Sequence, residues 1–264
     1  MRIDLLIIDP QRDFCLPGGN LYVTNAENDM QRLANMINRL DSKINGIHVT
    51  LDSHHLVDIA HPIWWKNSKG ESPNPFTIIT AKEVKDGTWT TRQPGALRRT
   101  IDYIESLEAS GRYPLCIWPP HCLIGSEGHG VIPVLFDALS KWEERYRMVD
   151  YVTKGSNPFT EHYSAVSAEV PDPNDPSTQL NVELIKNLES ADLLVIAGEA
   201  GSHCVANTVR DIRKAYNDDS KMKKLVILED AMSPVPGYEQ LQSEFFDEMK
   251  KAGVQFSTTV DFLK

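Results

Sequence analysis

The stretch that most constrains the fold is Leu193-Leu194-Val195-Ile196-Ala197 followed by Gly198-Glu199-Ala200-Gly201-Ser202-His203-Cys204. The aliphatic run is short and unbroken, as in a strand buried on both faces of a parallel sheet. Beyond the glycines, Cys204, Val205, Thr208, Val209 and Ile212 recur at helical spacing. The segment therefore reads as strand, tight turn and helix, with Cys204 in the first helical turn. Unpaired N–H groups and the positive end of the helix dipole favour a thiolate at that position and can hold a developing oxyanion. Taken alone, the stretch also fits an inert core thiol, because free cysteines are among the most buried residues. The rest of the chain has to decide.

Other aliphatic runs end on reactive side chains. Ile3 to Ile8 ends at Asp9, and Ile47 to Leu51 ends at Asp52, which is followed by Ser53-His54-His55. Leu115 to Trp118 reads as a third strand, stopped by Pro119-Pro120-His121-Cys122, and Met148 to Val152 leads into Lys154-Gly155. Leu225 to Leu228 and Val254 to Phe256 complete the strand-like runs. Helical periods fall between them over residues 26–41, with Asn25 placed as N-cap, and over 95–109, 131–145, 180–189 and 238–251. Alternation of this kind predicts a three-layer α/β/α fold around a mostly parallel, Rossmann-like six-stranded sheet.

The 264 residues are expected to form a single domain, 1–264, carrying an insertion at 62–115. Over 62–92 the pattern has no clear period, and Trp64, Trp65 and Trp89 suggest an ordered segment packed by its aromatics over the sheet edge. Pro158 to Ser177 reads as a loop. A net charge of −10, spread along the chain, argues against nucleic acid as a partner. No apolar stretch approaches the roughly 18 to 20 residues of a membrane span, and the N-terminal run, interrupted by Asp4 and Asp9, does not read as a signal peptide. Four irregularly spaced cysteines do not make a disulfide framework, so a reducing cytoplasm is expected.

In a parallel sheet the C-terminal strand ends share one edge, where ligands bind. That edge would collect Asp9, Asp52, His121, Lys154 and Cys204. A cysteine with an ordinary pKa of about 8.5 needs a base or a cation to attack at neutral pH; Asp9 can be the base, and Lys154 the charge stabiliser that orients it. His203 adjoins the cysteine, but helical neighbours point about 100° apart, so it should face away from the thiol. Asp52, His54 and His121 have the residue types of a divalent metal site, with His61 as a further possible ligand. His55 should point opposite to His54, and His129 and His162 read as hydrogen-bonding residues.

These motifs in this order, Asp9-Pro10-Gln11-Arg12-Asp13-Phe14, Asp52-Ser53-His54, Trp118-Pro119-Pro120-His121-Cys122, Lys154-Gly155 and Gly198 to Cys204, resemble those of the isochorismatase-like cysteine hydrolases. Their metal-binding branch, the nicotinamidases and pyrazinamidases, is the nearest in pattern. The resemblance implies a catalytic triad of Asp9, Lys154 and Cys204 and one divalent ion on Asp52, His54 and His121, zinc first, iron or manganese otherwise. It implies an aromatic pocket of Phe14, Trp118 and Tyr163. It also implies a cis peptide at Glu199–Ala200, with the amides of Ala200 and Cys204 as the oxyanion hole. The implied activity is hydrolysis of nicotinamide to nicotinate and ammonia through a thioester. Rivals are hydrolysis of another small amide or ureido substrate and, from a different class, a non-catalytic binding protein on the same fold. Glu199, His203 and the long 62–115 segment depart from the family's pattern. The expected partner is a small-molecule amide, and a homo-oligomer is compatible with the chain.

Overall fold

The computed structural model describes residues 1–264. In chain order the elements are β1 (Ile3–Ile8), α1 (Arg12–Cys15), α2 (Ala26–Leu40), β2 (Gly46–Asp52), β3 (Trp65–Lys66), β4 (Ile78–Ile79), α3 (Ala81–Lys85), β5 (Thr90–Thr91) and α4 (Leu97–Ser110). There follow β6 (Leu115–Cys116), α5 (Pro133–Glu143), β7 (Asp150–Lys154), α6 (Val182–Glu189), β8 (Leu193–Gly198), α7 (Cys204–Tyr216), β9 (Leu225–Leu228), α8 (Glu239–Lys251) and β10 (Gln255–Ser257).

Six of the strands form one parallel sheet in the order β10-β9-β8-β1-β2-β7. The connections β1 to β2 and β2 to β7 step one way across the sheet, while β7 to β8, β8 to β9 and β9 to β10 step the other way. Since such crossovers are right-handed, α2 and α5 cover one face, and α6, α7 and α8 cover the other. The order of strands reverses between β1 and β8, and the crevice at that switch point lies at their C-terminal ends. β1 is buried along its whole length, which is why its sequence runs aliphatic without alternation. One hydrophobic cluster of 70 buried residues joins the sheet to both helical layers.

Three sequence expectations are corrected. Leu115 to Trp118 does not join the parallel sheet: β6 pairs antiparallel with β4 in a two-stranded ribbon, so His121 reaches the sheet edge from a loop. A short aliphatic run cannot reveal its pairing partner, and here the partner comes from within the 62–115 segment. Asn25 precedes α2, but its backbone is left-handed and its side chain accepts from Asn28, so it does not cap the helix. The tryptophans of the 62–92 segment do not spread over the sheet edge. Trp64 and Trp65 are buried, donating to Thr100 Oγ1 of α4 at 3.3 Å and to the carbonyl of Ile59 at 2.7 Å.

A charged bridge ties the N-terminal ends of three strands. His48 of β2 lies 2.8 Å from Asp150 of β7 and 3.8 Å from Asp4 of β1. Burial disfavours the imidazolium, but the two carboxylates outweigh it and raise the His48 pKa above its ordinary value. A group whose pKa is raised by folding adds stability below its unfolded pKa of about 6.5, and that contribution is lost as pH climbs through the folded value. His48→Gln should therefore lose more stability at pH 5.5 than at pH 8.5, measured by urea denaturation; an equal loss at both would contradict the bridge.

Candidate active site

The register of the sheet places the reactive ends side by side. Asp52 pairs with Lys154 across β2 and β7, and Ile8 pairs with Gly198 across β1 and β8. Lys154 is the only buried residue of β7. Its ammonium lies 2.9 Å from Asp9 Oδ2 and 3.0 Å from Asp52 Oδ1, donates to the carbonyl of His162 at 2.8 Å, and is 3.8 Å from Cys204 Sγ. Gly155, at φ +83°, has no room for a side chain, because a Cβ there would press on Asp52 Oδ1. Asp9 is held from its other side by Thr50, whose hydroxyl donates to Oδ1 at 2.6 Å and accepts from the Asp9 amide at 3.0 Å. Gln11 locks the same two strands by a reciprocal pair of 2.7 Å bonds with the backbone of Asp52. Sequence reasoning assigned no role to Thr50 or Gln11, both of which act through contacts 41 residues away.

Electrostatics settle the resting state of these groups. Burial works against the Lys154 ammonium, but Asp52 and Asp9 outweigh it and hold its pKa well above the ordinary value. Burial raises Asp9, with Lys154 opposing. Burial also pushes the Cys204 thiol well up; Lys154 pulls against this, and the carboxylates of Asp9 and Asp52 add to it. The helix terminus was expected to favour a thiolate. Desolvation and the two nearby acids instead push Cys204 toward its protonated form, against the pull of Lys154.

The turn from β8 into α7 is tightly confined. Gly198 has φ +119°, and a Cβ there would run into the backbone of Ile8. The Glu199–Ala200 peptide is cis, as the resemblance implies. The carbonyl of Ala200 accepts from His203 and Val205, while the amides of Ala200 and Cys204 donate to no protein acceptor. Both residues line a cavity of about 440 Å3, counting its open mouth.

In the lining of that cavity Asp52, His54 and His121 offer ligand atoms within 4.8 Å of one another. His54 Nε2 is 3.1 Å, and His121 Nε2 3.5 Å, from Asp52 Oδ2. Each imidazole is oriented from behind, His54 Nδ1 by Asp58 at 3.0 Å and His121 Nδ1 by the carbonyl of Pro119 at 2.8 Å. Such partners fix the tautomer that leaves Nε2 free to bind. His61 is oriented likewise by the carbonyl of Leu56 at 3.1 Å, and its Nε2 is buried without a partner. Its ring centroid is 5.3 Å from that of His54 and 5.7 Å from that of His121. The donor set and this orphaned nitrogen fit a divalent cation.

Phe14, Trp118 and Tyr163 all line the cavity. Phe14 lies 5.3 Å, centroid to centroid, from His121, and Trp118 Nε1 donates to the hydroxyl of Tyr163 at 3.0 Å and to Glu161 at 3.2 Å. None of Trp64, Trp65 and Trp89 reaches it. Glu161, His162, Leu21 and Val235 also line it, without any signal in the sequence. His203 was expected to face away from the thiol. It makes no bond to Cys204, but it lines the same cavity, packed between Tyr113 and Tyr238 at 5.2 and 4.8 Å, and burial lowers its pKa to about 4. Helical geometry does not govern it, because as the residue before α7 it is not helical in φ and ψ. His55 is exposed, and His129 and His162 make hydrogen bonds to Ser53 and to the Gly155 amide, as expected.

A parallel α/β/α sheet with a cysteine at the switch point and an aspartate and a lysine beside it is the arrangement that the resemblance to the isochorismatase-like cysteine hydrolases implies. Within that class the similarity runs to the nicotinamidase branch. The chain is 25% identical over 263 residues to the nicotinamidase of Escherichia coli K12, covering 98% of this chain and 95% of that protein. Yeast nicotinamidase, solved with the inhibitor nicotinaldehyde, superposes with a TM-score of 0.66 at 20% identity, covering 97% of this chain and 99% of that one. The pyrazinamidase of Pyrococcus horikoshii, solved with zinc, gives 0.58 at 18% identity over 98% and 99% of the two chains. No family model matches the chain. No helix is long and apolar enough to cross a membrane.

The metal geometry yields a prediction. The metal-free protein should bind one equivalent of Zn2+ by calorimetric titration, and Asp58→Ala, which removes the carboxylate behind His54 and its bond to the Ala60 amide, should weaken binding about 10- to 100-fold. An unchanged affinity would show that His54 is not a ligand.

Proposed function

We propose that this protein is an amidohydrolase that converts nicotinamide to nicotinate and ammonia, with Cys204 as nucleophile. The observation that carries the reading is that Cys204, beside the buried ammonium of Lys154 and the Asp9 carboxyl paired with it, lines a cavity that also presents the metal-ligand set Asp52, His54 and His121. The Asp9 carboxylate takes the thiol proton as the sulfur attacks the amide carbon. The oxyanion that forms is received by the amides of Ala200 and Cys204, which have no other acceptor. Asp9 returns the proton to the leaving nitrogen, ammonia departs and a thioester remains. Asp9 then deprotonates a water that attacks the thioester, and the acid leaves as the thiol is restored. Lys154 keeps Asp9 in place and balances charge through each proton transfer.

Asp52, His54 and His121, with His61 beside them, would hold the divalent ion, which we assign as zinc, in keeping with the zinc complex of the Pyrococcus relative. Such an ion supplies a Lewis acid to anchor and polarise a heteroaromatic nitrogen. Phe14, Trp118 and Tyr163 offer flat surfaces for the ring. None of Trp64, Trp65 and Trp89 lines the pocket, so they do not reshape it for a larger amide. We read the whole chain as one hydrolase domain, built on its single core cluster. The four free, buried cysteines suit a reducing cytoplasm.

Cys204→Ala should lower kcat/KM for nicotinamide by at least about 1,000-fold, measured as ammonia release, and adding Asp9→Asn to it should cost little more, because the residues act as a unit. Activity within tenfold of wild type would remove the nucleophile assignment. Substrate choice gives a separate check on the metal wall: benzamide, which lacks the ring nitrogen, should have a kcat/KM at least about tenfold below that of nicotinamide. Equal values would sink the anchored-pyridine model.

A further inference from the structure

Behind the nucleophile turn lies a buried pair of acids that the reaction above does not use. Glu199 and Asp29 of α2 are both fully buried. Glu199 Oε2 accepts from the amide of Ser233 at 3.0 Å, and its Oε1 is buried with no donor in reach. The facing group is Asp29, whose Oδ2 accepts from the hydroxyl of Ser233 at 2.5 Å and whose Oδ1 is paired with Arg32. The ionisable neighbours are Asp29 and Arg32 from α2 and the thiol of Cys15 from α1. With one guanidinium between them, two facing carboxyl groups in a dry site share a proton. Burial and the Asp29 charge push Glu199 well above the carboxylate range, which places the shared proton on Glu199, facing Asp29.

This pair controls Ser233, and Ser233 controls the turn. The segment 231–235 runs alongside 198–202: Gly198 donates to the carbonyl of Ala231 at 3.0 Å, Gly201 to that of Ser233 at 2.9 Å, and Val235 to the hydroxyl of Ser202 at 3.0 Å. Ser233 thus binds Gly201 through its carbonyl, Glu199 through its amide and Asp29 through its hydroxyl. The residue caught between Glu199 and Gly201 is Ala200. We propose that Glu199 is a positioning residue: its carboxylic acid, tied to Asp29 and Ser233, sets the turn that aims the Ala200 amide into the cavity. The inference rests on the hydrolase reading given above.

Glu199→Gln keeps an oxygen to accept from Ser233 and turns an uncharged amide nitrogen toward Asp29, whereas Glu199→Leu offers neither. The probes are pyridine-3-carbaldehyde, which adds the Cys204 thiol across its carbonyl and so creates the oxyanion, and nicotinate, which does not. Glu199→Leu should bind the aldehyde at least about tenfold more weakly than wild type and nicotinate about equally, while Glu199→Gln should match wild type for both. Aldehyde affinity unchanged in Glu199→Leu, or lost in Glu199→Gln, would overturn the proposal; so would a parallel loss of both ligands in Glu199→Leu, which marks general collapse of the pocket. Should Glu199→Leu not fold, denaturation of wild type and Glu199→Gln decides. The unfolded glutamate ionises near about 4.3 while the folded one keeps its proton, so the glutamine variant should gain on wild type between about pH 4 and about pH 8. Parallel curves with an active wild type would bring down this inference alone, and a wild type that neither binds the aldehyde nor hydrolyses nicotinamide would bring down the hydrolase reading.

Discussion

A single buried ammonium holds the site together. Lys154 Nζ sits between Asp9 and Asp52 at 2.9 and 3.0 Å, with the sulfur of Cys204 at 3.8 Å. Taking three charges out of water is costly, and the arrangement persists because each finds a partner; removing one member of such a cluster typically costs about 3–5 kcal/mol. The design explains β7, an edge strand otherwise turned largely to solvent, whose last residue is the one it buries. It explains Gly155, since any side chain there would displace Asp52.

That ammonium also divides the work. Asp9 lies beside the thiol, Asp52 faces the two histidines, and Lys154 touches both carboxylates, so charge changes near the thiol are felt at the metal-ligand set. With the thiol neutral at rest, reaction on the proposed pathway begins by proton transfer to Asp9 and needs no standing thiolate. The buried Glu199–Asp29 pair lies outside this circuit, behind the turn, where its charge is neutralised by Arg32 and a retained proton.

Much of this was legible in the sequence, and the limits have physical causes. Ile3 to Ile8 and Leu193 to Ala197 announce buried parallel strands because neither alternates between buried and exposed residues, and the residues that end them then fall on one sheet edge by topology alone. Leu115 to Trp118 misled, because strand character is local and pairing is not. His121 was still placed at the edge, by a loop that donates from the Trp118 amide to the carbonyl of Ala60 and accepts from the His54 amide at the carbonyl of Cys122. Thr50, Gln11 and Ser233 were invisible, since their bonds join residues far apart in the chain. The resting charge of Cys204 depends on a sum of desolvation and three neighbouring charges that no motif encodes.

The most direct measurement is mass spectrometry of the metal-loaded enzyme quenched in acid within its first turnovers of nicotinamide. The account predicts a nicotinoyl adduct on the peptide bearing Cys204, labile to hydroxylamine and forming no more slowly than nicotinate appears. Steady nicotinate release with no adduct on Cys204, or with the adduct on another residue, would contradict it.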